Sequence, residues 1–227
     1  MKERFVEYCD GDRIEVDVLE GYHFKEGTVN DGYVIEDDLG NQLLRIPSGY
    51  TADGLYIRGF WVSRYKISVD DEGNPHSIAG KYPFVGINFF DAMKKAKKMN
   101  SDLITKEEYN RICMWLVQTG AATFEEVFIK GNNDIGNYSN PFVLEKTGSN
   151  PKWMRNRLDC FWGGAYIWTT EKSELYDHHR IIRGGHNSYF TIGEKHPPVF
   201  RTWADPEKDS PNITFRTVIR DPKDLVK

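Results

Sequence analysis

The sequence predicts an α+β domain that is rich in strands and turns and carries two helices. Three observations support that expectation. Of its 227 residues 14% are aromatic, with 20 Gly and 10 Pro scattered along the chain. The N-terminal part alternates polar and apolar residues, the period of half-buried strands, and two central stretches carry apolar residues at helical spacing. A chain of this length can bury a substantial core without cross-links.

Residues 1–48 read as strands. Arg13-Ile14-Glu15-Val16-Asp17-Val18-Leu19 alternates, and Val34-Ile35-Glu36 and Gln42-Leu43-Leu44-Arg45-Ile46 flank the hairpin signal Asp37-Asp38-Leu39-Gly40-Asn41. Pro47-Ser48-Gly49 breaks the pattern, which divides the chain into an N-terminal β-rich segment (1–48), a main domain (50–220) and a tail (221–227). The segment reads equally as a hairpin docked on the rest or as an attachment module. Leu55 to Val69 is a second β-rich run. Asp70-Asp71-Glu72-Gly73-Asn74 lacks the spaced ligands and terminal Glu of a calcium loop and reads as a plain turn.

The first helix covers Phe90 to Met99, with Ala92, Met93, Ala96 and Met99 on the apolar stripe and the lysines on a solvated face. Thr105 and Glu108 form a capping box for the second, in which Tyr109, Ile112, Cys113 and Leu116 face inward and Gly120 ends the helix. The chain then reads as irregular through Gly131-Asn132-Asn133-Asp134-Ile135-Gly136-Asn137-Tyr138. Short strands are expected at Ala165–Thr170, Arg180–Arg183 and Ile213–Ile219.

Net charge is −4 with a pI near 5.9, so no electrostatic footprint for nucleic acid or anionic membrane is present. No stretch approaches the roughly 20 apolar residues of a membrane span, and Met1 to Glu7 lacks the apolar core of a signal peptide. Cys9, Cys113 and Cys160 are odd in number and lack metal or disulfide spacing. His178 and His179 read as surface or turn residues and not as metal ligands, since neighbours on a strand would point to opposite faces and no third ligand is spaced to join them. No cofactor or metal is expected. Trp61, Trp115, Trp162 and Trp168 read as core, whereas Trp203, in the polar and proline-rich stretch Lys195 to Pro211, reads as surface.

Six ordered segments between residues 55 and 219 resemble motifs of the formylglycine-generating-enzyme-like domain, a branch of the C-type-lectin-like fold. They are Phe60-Trp61-Val62-Ser63-Arg64-Tyr65 (with Lys66 where the motif has Glu), Pro83 to Ala92, Leu103 to Tyr109, Gly163 to Thr169, Arg183-Gly184-Gly185 and Thr214-Phe215-Arg216. Gly27 to Asp37 and Gly136 to Asn140 are similar to segments of phage structural members. The resemblance implies a C-type-lectin-like fold with two helices, short antiparallel strands and long irregular loops.

It also implies relatives among phage tail proteins and the variable ligand-binding proteins of diversity-generating retroelements. The catalytic members of the family carry two cysteines after the Arg-Gly-Gly segment, which bind copper; residues 161–227 here contain no cysteine. Gly164 and Ile167 stand where the family's calcium-holding Asn and Glu are expected, so that calcium site is expected to be lost.

The function expected is therefore that of a non-enzymatic phage virion protein, of tail or decoration type. It would bind a host-surface protein or glycan, or other virion proteins, and is expected to be a homo-oligomer. The candidate binding face is His186, Asn187, Ser188, Tyr189, Phe190, His196, Trp203, Asp205 and Asn212. Tyr and Trp offer rigid contact area and Ser and Asn adaptable hydrogen bonds. A purely structural capsid or tail role and a formylglycine-generating-type oxidase are the alternatives.

Overall fold

The computed structural model describes residues 3–9, 11–129, 144–161, 163–184, 199 and 201–220. Strands β1 (Arg4–Cys9) and β2 (Asp12–Asp17) form a hairpin, and β3 (Tyr22–Thr28), β4 (Gly32–Asp37) and β5 (Gln42–Ile46) a meander. Short β6 (Gly49–Tyr50) and β7 (Tyr56–Ile57) lead to β8 (Phe60–Ser63), after which β9 (Ser68–Val69) and β10 (Pro75–His76) pair. Helix α1 (Phe89–Lys98), β11 (Asp102–Leu103) and helices α2 (Lys106–Gln118) and α3 (Phe124–Phe128) follow. The chain closes with β12 (Met154–Arg155), β13 (Leu158–Asp159), β14 (Tyr166–Lys172), β15 (Arg180–Arg183), β16 (Arg201–Ala204), β17 (Ile213–Thr214) and β18 (Thr217–Arg220).

Two sheets organise these elements. The larger is antiparallel with order β11-β18-β8-β5-β4-β3, and the smaller has order β16-β15-β14-β17, with only β14 and β17 parallel. The larger sheet is covered on both faces. On one, Val34, Leu44, Ile46, Phe60 and Val62 pack with Tyr109, Ile112, Trp115 and Leu116 of α2. On the other, Ile35, Leu43 and Trp61 pack with Phe5, Val16 and Val18 of the β1–β2 hairpin. That double burial is why all five residues of β5 are buried without alternation.

The division expected at 48–50 thus runs between β5 and β8, which are neighbours in one sheet with Leu44 opposite Val62. A buried ion pair, Arg45 Nε to Glu7 Oε1 at 2.7 Å, ties the hairpin to the same sheet.

Local signals explain much of the rest. Thr105 and Glu108 make the capping box of α2, and Gly120 sits at φ +74° beyond its end. Asn88 caps α1 by accepting the Asp91 amide at 2.9 Å. The two Asp-x-x-Gly-Asn turns are built alike. Asp37 accepts the amides of Leu39 and Asn41, and Asp70 those of Glu72 and Asn74, with Gly40 and Gly73 at positive φ.

Several expectations are corrected. Met93 is 39% exposed, and Phe89 takes its place on the buried stripe of α1. The segment after Gly120 is not wholly irregular, because Thr123 and Glu126 form a second capping box that starts α3. The run expected as one strand at Ile213–Ile219 is two, since Phe215 and Arg216 carry the chain from the smaller sheet to the larger. Trp61, Trp115 and Trp168 are buried as expected, whereas Trp162 lies outside the described residues. Cys113 is core, and burial pushes its thiol up to about 12. Among the described residues no helix is long and apolar enough to cross a membrane.

Candidate functional site

The expected binding face is described only in part. His186, Asn187, Ser188, Tyr189, Phe190 and His196 lie outside the described residues, and Trp203, Asp205 and Asn212 within them.

Trp203 is on β16, an edge strand, so the stretch expected to lack strand structure contains one. Polar and proline-rich flanks concealed it; four residues pairing in register with β15, Trp203 opposite Ile181, are enough to define it. The indole is 42% exposed, in keeping with the expected surface position. Its ring lies 5.3 Å from that of Tyr176, tilted by 40°, and Tyr176 in turn lies 5.1 Å from the His179 ring. His178 closes a turn before β15 and His179 follows it, with ring centroids 4.3 Å apart, in keeping with the surface or turn role expected for them.

The turn that carries Tyr176 is fixed from within. The Ser173 hydroxyl accepts the amides of Leu175 and Tyr176, and the His179 amide donates to the Tyr176 carbonyl at 2.9 Å. The result is an exposed cluster of Leu175, Tyr176, His178 and Trp203, with the half-buried His179 beside Tyr176, seated on a paired strand and a hydrogen-bonded turn. Little side-chain order remains to be lost when such a surface meets a ligand.

Asp205 borders this cluster. The Glu207 amide holds its carboxyl below the ordinary range, with Lys208 and His179 adding to the effect. Asn212 is elsewhere. It immediately precedes β17, and its carbonyl accepts the Tyr166 amide at 2.9 Å. β17 is the far edge of the sheet from β16, roughly 14 Å away at ordinary strand spacing. The structure therefore joins Trp203 and Asp205 to Tyr176, His178 and His179, and leaves Asn212 apart.

Beyond Trp203 on the same strand, Arg201 is opposite Arg183. Both reach Glu171 of β14: Arg183 Nη2 to Oε2 at 2.8 Å and Arg201 Nη1 to Oε1 at 3.2 Å. Lys106, the first residue of α2, has its ammonium 3.8 Å from the same Oε1. A cleft of about 550 Å³ opens here, lined by Asp53, Lys106, Asn110, Phe128, Arg183 and Arg201 among others.

The sequence analysis missed Tyr176, His178, His179, Arg201 and Lys106. The signal for the first three was an aromatic residue inside the polar, non-alternating run Ser173 to His179, which marks a turn and so an exposed ring. Among the described residues no group of three His, Cys, Asp or Glu side chains is placed to hold a metal ion. Ile167, in the position compared above with a calcium-holding Glu, is fully buried in the main core.

No protein-family profile matches the chain, and no curated protein sequence matches it. Solved structures do. PvdO from Pseudomonas aeruginosa aligns with a TM-score of 0.55 at 15% identity, over 86% of this chain and 98% of that one. CarF aligns with a TM-score of 0.55 at 13% identity, over 81% and 99% respectively. Treponema denticola variable protein 1 gives 0.56 at 12% identity, over 89% and 100%. Identities this low establish shared architecture and leave function to the site. The chain has a C-type-lectin-like fold of the α+β class, with few helices and mostly antiparallel strands.

Proposed function

We propose that this chain is a non-enzymatic binding module of a phage particle, in its tail or decorating its surface, and that it engages a host-surface ligand through the face around Trp203. The observation that carries the reading is the exposed Tyr176–Trp203 pair on a rigid support, since large exposed aromatics grouped together mark interaction sites. The fold is also that of a protein named for its variability, Treponema denticola variable protein 1. The phage assignment rests on the sequence resemblance.

An oxidase role finds no support in the chain's thiols. Two closely spaced cysteines are what copper-dependent oxidation in the resembled family uses, and here Cys113 and Cys160 are both buried and far apart in sequence. Purified protein incubated with copper and a cysteine-containing peptide should turn over none of it; turnover above background with stoichiometric copper would refute the non-enzymatic reading.

Labelled protein offered separately to candidate host cells and to phage particles tests the binding role. Saturable adsorption to cells that Trp203→Ala abolishes supports the host-ligand reading. Adsorption to particles alone would assign the same face to a subunit contact.

A further inference from the structure

We propose that the cleft beside Trp203 is an anion subsite, and that the ligand of this face is a sugar carrying a fixed negative charge. The inference rests on the reading of the Trp203 face as the binding face and states what that face selects.

The charge arrangement comes first. Glu171 is one carboxylate, only 10% exposed, approached by three cations: Arg183, Arg201 and Lys106. Arg183 is spent on structure. It is 4% exposed, and it donates to Glu171 and, at 3.2 Å, to the Val199 carbonyl; its Nε is buried with no hydrogen-bond partner among the described residues.

Toward the described residues the other two cations have capacity left. Lys106 Nζ, at 3.8 Å from Glu171, is beyond hydrogen-bonding distance. Arg201 uses Nη1 on Glu171, and its Nη2 is 3.9 Å from the exposed Glu174, again too far for a hydrogen bond. Asp53 also lines the cleft, but its carboxylate accepts the Thr51 hydroxyl, which is the main reason its pKa is lowered. With Glu174 counted, the three cations face three carboxylates, Asp53, Glu171 and Glu174, so what the cleft offers an anion is the unfilled donors of Lys106 and Arg201 and not an excess of charge.

The shape comes second. The cleft is shallow and open to solvent, with about 550 Å³ available to a ligand held from one side. Arg201 and Trp203 are two residues apart on β16, so their side chains leave the strand on the same side, roughly 7 Å apart. A ligand matching both must present an anion and, within one ring's width, an apolar face for the aromatic pair. An acidic pyranose does this: its carboxylate or phosphate meets the guanidinium of Arg201 and the ammonium of Lys106, and its C–H face covers the Trp203 ring. An acidic peptide supplies the charge without that face.

The test is a titration of the full chain with glucuronate, glucose 6-phosphate, glucose and tetraglutamate, followed by ligand-observed NMR at two salt concentrations. Both acidic sugars should bind and weaken with salt, glucose should bind at least tenfold more weakly, and tetraglutamate should fail. The ratio of the two acids separates a carboxylate source from a phosphate source. Arg201→Gln should weaken both acids about tenfold, the loss expected from one charge-assisted hydrogen bond. Trp203→Ala should weaken every sugar. Arg201→Lys, which keeps the charge, should recover part of the binding and so excludes simple misfolding.

Equal binding of glucose and glucuronate, an Arg201→Gln variant that binds like the parent, tetraglutamate bound as tightly as the acidic sugars, or no probe bound at all would each overturn the proposal. If the acids bind as expected while Trp203→Ala leaves adsorption to cells intact, the host-binding reading fails and the subsite stands. If adsorption depends on Trp203 but charge makes no difference, only the subsite fails.

Discussion

The ammonium of Lys66 donates to the carbonyl of Ala165 at 3.0 Å in the interior of the protein, and also to that of Gly163. Lys66 is 1% exposed, and desolvation holds its pKa below the ordinary lysine value. Gly164, at φ +75°, sits between the two carbonyls, and a Cβ there would lie 3.4 Å from the ammonium. Arg216, fully buried, does the same work nearby by donating to the carbonyls of Ser63, Arg64, Asp159 and Cys160. The chain turns these carbonyls inward and supplies two cations of its own to satisfy them.

Lys66→Met should therefore destabilise the protein by about 2–4 kcal/mol, because two buried carbonyls lose their donor. Urea denaturation at neutral pH measures this. A loss below about 0.5 kcal/mol would show that the carbonyls find other partners.

Trp168 tests the second core cluster. It is fully buried, packs edge-on against Phe89 with ring centroids 5.8 Å apart, and donates Nε1 to the Ile87 carbonyl at 2.9 Å. Trp168→Ala should cost about 3–5 kcal/mol in the same assay. A surface-like loss of about 0.5 kcal/mol or less would contradict the packing.

Asp70 gives a pH signature. The Asn74 amide, chief among several donors, holds its carboxyl down to about 2 from an ordinary 3.8. A carboxylate lowered on folding stabilises the protein above its unfolded pKa, and that contribution is lost as pH falls from 3.8 through about 2. Carbon-detected NMR of the Asp70 carboxyl should give a midpoint near 2, and a midpoint near 3.8 would mean that the turn does not hold.

Cutting the backbone within Pro47-Ser48-Gly49 should unfold the whole protein. β5 lies between β4 and β8, and Leu44 and Ile46 share a core with Tyr109 and Ile112. Limited proteolysis monitored by circular dichroism decides this. A stable fragment starting near residue 50 would instead support the division into an N-terminal appendage and a main domain.

The parts of this fold legible in the sequence are those fixed by local chemistry. The Thr105–Glu108 capping box, the Asp37 turn and the alternation before Leu19 each specify structure within a few residues. Register across the sheets was not legible. Nothing local says that β5 pairs with β8, because the buried run Gln42 to Ile46 has the same composition whether it closes an appendage or runs through a shared sheet. At the candidate site, Trp203 was legible as an exposed ring amid polar residues. Its partner Tyr176 was not, since 27 positions separate them and only the β15–β16 pairing brings them together. The Glu171 cluster was hidden for the same reason, with members on α2, β14, β15 and β16.

The measurement closest to the central claim compares adsorption and melting temperature for the parent and the Tyr176→Ala/Trp203→Ala double variant, using a panel of immobilised acidic and neutral polysaccharides together with candidate host cells. Both rings are more than 40% exposed, so the melting temperature should stay within about 4 °C of the parent while adsorption is lost. Full adsorption by the double variant at unchanged stability would contradict the assignment of this face. A collapse of stability would place the two rings in the core.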